Sequence, residues 1–352
     1  MLPVDLRRHR WWILLAAVVA GLVLLGPRLS GFGGGVATAW AHGAFGSASS
    51  VALTLELAGV LTLVGLAFLL PFQGGLFNIG AEGQLYAGGL AAVLVGVYTS
   101  LPAGLHFGAA LCAAALAGAG WAALAGALKC WRGAHEVVTT IMLNYIAVGM
   151  SRYLVDGPLN AGTYAAQTQP VAVTAQLPVL WSAPPMAVDA GVVLAGVLAV
   201  LVALGLRRTV WGYELRVVGG NPRAATEAGI SQGRAWFVSL LLGGAMAGLA
   251  GAELVLGMER VFTATLSPGF GYDGIAVALL AGGEAWAVPL SALLFASLRS
   301  ADKALQLEAG LSPRVIYVVQ AVLILAVAAR AAWRPHWRRS RPIVRAEVPW
   351  GS

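Results

Sequence analysis

The feature that most constrains this chain is a series of apolar runs, most of them long enough to cross a bilayer as a helix. A hydrocarbon core about 30 Å thick takes about 20 helical residues. The longer runs lie near residues 11–25, 50–70, 85–101, 105–128, 136–154, 187–206, 235–257 and 314–332. Only 11% of the residues are charged, whereas soluble domains carry about 25%. The sequence therefore predicts an all-α polytopic membrane protein.

Two shorter runs, near 270–283 and 285–299, decide the number of spans. Each falls below the roughly 17 residues that a span needs, which is typical of broken or re-entrant helices. Counted as spans, they bring the prediction to about ten transmembrane helices with both termini cytoplasmic. The predicted organisation is a cytoplasmic N-terminus (1–10), a single transmembrane domain (11–333) and a basic cytoplasmic tail (334–352).

The distribution of basic residues supports this topology. Loops rich in Lys and Arg stay on the cytoplasmic side, and all but six of the 22 basic residues fall in segments predicted to lie there. The six exceptions are Arg28, Arg152, Arg260, Arg299, Lys303 and Arg314. The 299–314 loop holds three of them, and it changes side if the two shorter runs do not each cross the membrane. Because the basic residues lie in loops and tails, the net charge of +7 predicts no nucleic-acid partner.

Two further segments leave alternatives open. The run Trp11–Leu25 follows three arginines, which is also the pattern of a signal peptide, with Ala37-Thr38-Ala39 as the cleavage site. We favour an uncleaved first helix. The loop at 155–185, predicted to lie outside, is rich in Pro and Gln. It either meets a soluble partner or serves as a plain connector.

A polar segment, Arg207–Arg234, interrupts the apolar runs and is predicted to lie in the cytoplasm. Within it, Asn221 suits a helix N-cap, Pro222 the first helical position and Gly229 the position past the end. The resulting helix of about seven residues is marginal on its own. Its apolar residues are Ala224, Ala225, Ala228 and Ile230. Because these are too few to bury the helix against its own chain, we expect it to dock on another protein.

The chain carries no nucleotide-hydrolysing motif of its own. A P-loop needs a Gly-Lys pair to hold phosphates, and neither lysine, Lys129 or Lys303, follows a glycine. His135-Glu136 begins like a zinc-protease helix, but Thr139 stands where the second histidine is needed. The two cysteines suit neither a disulfide framework nor a metal site. The sequence therefore predicts no catalytic residue, metal or cofactor.

The stretch Pro71–Tyr86 places four glycines and several polar side chains between spanning runs. Its polar residues include Asn78, Glu82 and Gln84. An ionisable residue at membrane depth is costly and by default suggests function, and transporters bind solute at broken helices. The alternative is that Glu82 lies at the cytoplasmic interface and caps a helix start.

A second glycine-broken stretch, Ser267–Gly274, resembles the first loosely, which suggests an internal repeat. Its buried-charge candidate is Asp273. Glu56, Glu253 and Asn144 also lie within spanning runs. An asparagine such as Asn144 more often bonds a neighbouring helix than a solute. The Gly244-x-x-x-Gly248 pattern predicts a face for close helix packing.

Four motifs resemble the permease subunits of bacterial ABC importers of the nucleoside and simple-sugar type, within the wider group of ribose and branched-chain amino acid permeases. The motifs are GLFNIGAEGQ (Gly75–Gln84), EVVTTIMLNYIA (Glu136–Ala147), GxNPxAAxxAGI (Gly219–Ile230) and GFGYDGIAVALLAG (Gly269–Gly282). They follow the family order over most of residues 50–330. The combination is specific, whereas each motif alone is weak.

The resemblance implies that the segment 207–234 carries a coupling helix, which fits a groove on a separate ATP-binding subunit. The residues carried over to this contact are Gly219, Asn221, Pro222, Ala225, Gly229 and Ile230, with Glu214, Arg216 and Arg223 as rim charges. Candidate residues for the translocation path are Asn78, Glu82, Gln84, Asn144, Tyr272 and Asp273. The implied partners are a second permease chain, often a different one, an extracytoplasmic solute-binding protein and membrane lipid.

The resemblance favours nucleosides as the solute, then simple sugars, then branched-chain amino acids, moved across a bacterial inner membrane. Two other functions remain open. An ion-coupled secondary transporter would use intramembrane carboxylates such as Glu82, Glu253 and Asp273. A purely structural membrane scaffold would need neither an ATPase nor a solute.

Overall fold

The computed structural model describes residues 35–310, which are mainly helical. The helices are α1 (Val36–Phe45), α2 (Ala48–Gln73), α3 (Ala81–Tyr98), α4 (Leu105–Arg132), α5 (Glu136–Asp156), α6 (Ala190–Arg208), α7 (Val210–Gly220), α8 (Pro222–Glu227), α9 (Gln232–Glu253), α10 (Phe270–Leu280), α11 (Val288–Ser300) and α12 (Asp302–Ala309). A π-helix (Leu254–Met258) continues α9, and 3₁₀ turns lie at Val173–Ala175 and Ala285–Ala287. The predicted first and last spans and the basic tail lie outside the described residues.

Five helices of the described part are long and apolar enough to cross a membrane, namely α2, α4, α5, α6 and α9 with its π-helix. The segments Phe270–Leu280 and Ala285–Glu308 qualify only together, and they are bent by 116°. This geometry is that of a broken span or a re-entrant loop, one of the outcomes expected for the two shorter runs. Because the sequence predicts eight of its ten spans between residues 35 and 310, the observed five or six fall below that count. The 18 residues of α3 begin with a polar turn, which lowers their hydropathy.

The centre of the bundle is formed by α2 and α9. Both are apolar around most of their circumference and are buried along most of their length, as a helix without a polar face must be. By contrast, α4, α5 and α6 leave most of their residues outside the core. Their exposed side chains are apolar, for example Leu116, Tyr145 and Val197. This arrangement gives the bundle an outer surface suited to lipid.

The small-residue pattern on α9 is a close-packing face, as predicted. Gly244 lies against the backbone of Gly118 on α4, and Gly248 lies against the backbone of Ala114 and Gly118. A methyl group at either glycine would collide with these backbone atoms. On its other sides, α9 approaches α3 through Gly251 in the same way. The backbone of α9 can therefore touch the backbones of α4 and α3. Close approach through small residues is how helices commonly associate in membranes.

The all-α prediction needs one correction, because strands β1 (Val179–Ala183) and β2 (Met186–Asp189) form an antiparallel hairpin. The hairpin lies in and just after the predicted connector at 155–185. Its position defines one end of the bundle, here called the hairpin end. The opposite end carries α7 and α8 and is called the α8 end. Loops 74–80 and 281–284 also lie at the α8 end, since Gln73 Nε2 donates to the Gly283 carbonyl at 2.6 Å.

Candidate coupling and solute site

The short helix α8 is capped as its sequence predicts. Asn221 Oδ1 accepts hydrogen bonds from the amides of Arg223 (3.1 Å) and Ala224 (3.2 Å). Pro222 occupies the first helical position, and Gly229 has a φ of 79°. This left-handed conformation is strained for any residue with a side chain. The helix ends at Glu227, one residue earlier than expected.

As its few apolar residues predict, α8 is not buried against its own chain, because only Ala225 of its six residues is buried. Ala225 is completely buried, and Ile230 packs against the main core. The neighbouring helix α7 carries the buried side chains Leu215 and Val218. Ala225, predicted to touch the partner, therefore faces inward and anchors α8. The coupling residues left on the outer surface are Arg216, Gly219, Asn221, Pro222, Arg223 and Gly229, with Glu214 half-buried.

The segment α7–α8 braces the glycine-broken loop 74–80. Leu215 reaches Gly74, and the Cα of Gly219 lies so close to the Gln73 carbonyl that a methyl group would collide with it. From α9, the indole N–H of Trp236 donates to the Gly74 carbonyl at 2.8 Å. Gly219 is exposed on one side and lies against this loop on the other. The contacts join α7 and α9 to the loop that leads into α3.

Within this loop, Asn78 and Gln84 form a reciprocal amide pair. Asn78 Nδ2 donates to Gln84 Oε1 at 3.0 Å, and Gln84 Nε2 donates to Asn78 Oδ1 at 3.1 Å. Asn78 Oδ1 also accepts from the Gly80 amide at 3.0 Å. Both side chains are buried. The pair fixes the chain as it turns into α3, because a buried amide without partners is costly.

Several hydrogen bonds join the two glycine-broken stretches, including those of Tyr86 with Ser267. Glu82 is buried, and its Oε2 accepts from the Gly271 amide in the first turn of α10 at 2.7 Å. Asn144 of α5 accepts from the Gly83 amide at 2.9 Å and donates to the Tyr272 hydroxyl at 3.3 Å. The alternative interpretation was that Glu82 caps a helix start. Glu82 does so, but it caps α10 and not α3, the helix in which it lies.

Asp273 forms an ion pair with Arg299, one of the six basic residues outside the predicted cytoplasmic segments. Arg299 Nη2 and Nε lie 2.6 and 2.7 Å from Asp273 Oδ2, and the pair is largely shielded from solvent. Arg299 also donates to the Pro268 carbonyl at 3.3 Å. The sequence signal for this ion pair is Arg299 itself, a lone arginine at the end of an apolar run. Charged residues at membrane depth usually pair with a residue of opposite charge.

The six candidate path residues thus lie around the start of α3 and the start of α10. Tyr272 alone among them is well exposed, at 44%. The other five side chains form hydrogen bonds with other residues of the same chain. Among residues 35–310, no group of His, Cys, Asp and Glu side chains could hold a metal ion. The hydrogen bonds of Glu82 and Asn144 join the start of α3 to the start of α10.

The match to a known family decides the identity. A family model described as "Branched-chain amino acid transport system / permease component" matches residues 50–328. The chain belongs to this permease family. The match includes all four motifs on which the resemblance rested, and so it confirms that resemblance.

Three curated relatives of this permease agree with the family match. The guanosine ABC transporter permease protein NupP of Bacillus subtilis is 37% identical over 328 residues, which cover 92% of each chain. The glucose ABC transporter permease protein TsgB13 of Haloferax volcanii is 35% identical over 274 residues, covering 75% of this chain and 72% of its own. The nucleoside ABC transporter permease protein NupB of Lactococcus lactis is 31% identical over 296 residues, covering 82% and 81%. The chain is thus a multi-pass ABC importer permease, a transport component rather than an enzyme.

Proposed function

We propose that this permease moves nucleosides across the bacterial inner membrane as one half of an ATP-driven importer. The observation that carries the proposal is the 37% identity to a guanosine permease along 92% of both chains. Simple sugars are the second candidate, because a glucose permease is 35% identical over 75% of this chain. Branched-chain amino acids rank third, since they are supported by the family description alone.

A separate ATPase subunit supplies the energy, and it binds the outer surface of α8. Three features support this contact: the capped helix, its exposed Pro222 and Arg223, and the packing of α7 on loop 74–80. Closure of the ATPase would push α8, and α7 would pass the displacement to this loop. Because Glu82 binds the Gly271 amide, α3 and α10 would respond together. The permease would then alternate between outward and inward openings through a population shift.

The remaining partners are a second permease chain, which completes the pore, and a solute-binding protein at the hairpin end. The α8 end lies in the cytoplasm together with both termini. The charge distribution supports this orientation, because Arg207, Arg208, Arg216, Arg223 and Arg234 all lie at the α8 end. Cytoplasmic segments of membrane proteins carry such an excess of arginine and lysine.

Uptake of radiolabelled guanosine by cells tests the solute. A strain that lacks this permease, with and without the gene restored, is offered guanosine in the presence of excess cytidine, glucose or leucine. We expect uptake to depend on the permease and to be inhibited by cytidine only. Permease-dependent uptake of labelled glucose or leucine in the same strains, with no permease-dependent guanosine uptake, would replace nucleosides by the second or third candidate.

A further inference from the structure

Three buried carboxyl groups meet near the hairpin end, apart from the coupling and path residues. They belong to Glu56 of α2, Asp189 at the end of β2 and Glu253 at the end of α9, and each is at most 4% exposed. The Asp189 amide donates to Glu56 Oε1 at 2.6 Å, and the Gly191 amide donates to Asp189 Oδ1 at 2.6 Å. The first of these bonds joins the hairpin to α2.

Glycines allow these carboxyl groups to approach each other closely. A methyl group at Gly191 would stand 2.9 Å from Glu253 Cδ and 2.8 Å from Asp189 Oδ1, so these two side chains are neighbours there. A methyl group at Gly59 would collide with the Glu253 carboxyl group, and one at Gly257 with that of Asp189. Gly257 lies in the π-helix, a distortion that is frequent at functional sites.

Three of the six carboxyl oxygens in the cluster receive no hydrogen bond from the described residues. Both carboxyl oxygens of Glu253, which is 1% exposed, and Oε2 of Glu56 have no partner within the described structure. An ionised carboxylate buried in this way is destabilised by several kcal/mol or more. Neighbouring carboxylates raise that cost further. The burial of Glu253 without a partner therefore indicates that a positively charged ligand neutralises it.

Few other charged groups face the cluster. At this level α3 and α4 approach α9 through Leu85, Gly89 and Ala114, which do not titrate. The nearby cation is Arg260, which is exposed beyond the π-helix. Burial raises the pKa of Asp189, whereas the Gly191 amide and Arg260 oppose that rise. Among residues 35–310, no group of three or more His, Cys, Asp and Glu side chains could hold a metal ion, and we therefore consider a proton as the neutralising charge.

We propose that Glu56, Asp189 and Glu253 form a proton-binding site, in which Glu253 carries a proton at neutral pH. The proton removes one of the negative charges that would otherwise be buried together. Asp189 is the ionised member, because it accepts from the Gly191 amide and lies nearest to the side of Arg260. Loss of the proton would place like charges side by side and loosen the hairpin from α2 and α9.

Infrared spectroscopy of the permease complex in nanodiscs tests this site through the carbonyl stretch of protonated carboxylic acids. At neutral pH we expect such a band, shifted in D₂O, and expect Glu253→Gln to remove the intensity of one carboxyl group. Glutamine keeps the shape of the side chain but cannot ionise. The matched control is Glu259→Gln, since Glu259 is exposed six residues farther along and should leave the band unchanged. An unchanged band in Glu253→Gln would overturn the proposal.

The wild-type complex gives a second measurement that does not depend on the folding of a variant. Raising the pH should remove the band and lower the hydrogen-exchange protection factor of the Asp189 amide, which donates to Glu56. Treatment with a chelator should change neither. A wild-type complex without the band at neutral pH, or with a band and protection that respond to chelator instead of pH, would contradict the proton site.

Discussion

The side chain of Asn221 closes the first turn of α8 and so determines whether this six-residue helix keeps its shape. Replacing an N-cap asparagine by alanine costs about 0.5–2 kcal/mol, and so short a helix has no interior turns to compensate. We expect Asn221→Ala to lower nucleoside uptake and the amount of ATPase that co-purifies with the permease. Both are measured at equal permease levels in the membrane.

The control for this prediction is Asn221→Ser. Serine caps helices about as well as asparagine but removes the amide group itself. Uptake by Asn221→Ser should stay near wild type. If the serine variant fell as far as the alanine variant, the amide would act by direct contact with a partner and the capping explanation would fail.

Asn144 is the second residue whose replacement should lower the stability of the folded protein by a predictable amount. In Asn144→Ala the buried Gly83 amide and Ile79 carbonyl lose their partners, and each unpaired group costs about 1–3 kcal/mol. We expect a clearly lower thermal unfolding temperature in detergent. Tyr272→Phe removes only the hydroxyl group that Asn144 reaches at 3.3 Å and should unfold close to wild type. Equal stability of Asn144→Ala and wild type would contradict this network.

At the scale of elements, the crossing of α9 with α4 depends on backbone contact at Gly248. Gly248→Val would place methyl groups against the Ala114 carbonyl, and overpacking of this kind costs about 1–3 kcal/mol. We expect reduced accumulation in the membrane and a lower unfolding temperature. Gly120→Ala is the matched control on α4, because no atom lies within 4 Å of the added methyl group. A Gly248→Val variant as stable as this control would show that the crossing is not tight.

The elements also show which features the sequence could predict. Local patterns of a few residues were sufficient to predict three features. These are the cap of α8, the glycine after it and the packing face of α9. The bond between Glu82 and Gly271 joins residues 189 positions apart, and the Asp273–Arg299 pair depends on the bend between α10 and α11. The burial of Ala225 depends on how α8 packs against the rest of the chain. The hairpin turns at Pro184-Pro185, a dipeptide that marks a turn but does not specify that the flanking residues pair as strands. Such contacts arise from tertiary packing, which sequence periodicity does not specify.

At the scale of the whole molecule, the two ends should face opposite sides of the membrane. In a background with Cys112→Ala and Cys130→Ala, single cysteines are introduced as Arg223→Cys at the α8 end and Trp181→Cys in the hairpin. Both positions are exposed. We expect a membrane-impermeant thiol reagent to label Trp181→Cys in intact cells, and Arg223→Cys only after the membrane is opened. The reverse pattern would invert the orientation.

The central claim is that this permease moves its solute only when a separate ATPase drives it. The most direct measurement is guanosine uptake into proteoliposomes that contain both permease chains and the ATPase, with ATP and the solute-binding protein supplied on their respective sides. We predict uptake that requires hydrolysable ATP, persists with a proton ionophore and is lost when Asn221-Pro222 is replaced by Ala-Ala. Uptake without the ATPase that collapses with the ionophore would contradict the account and identify an ion-coupled transporter.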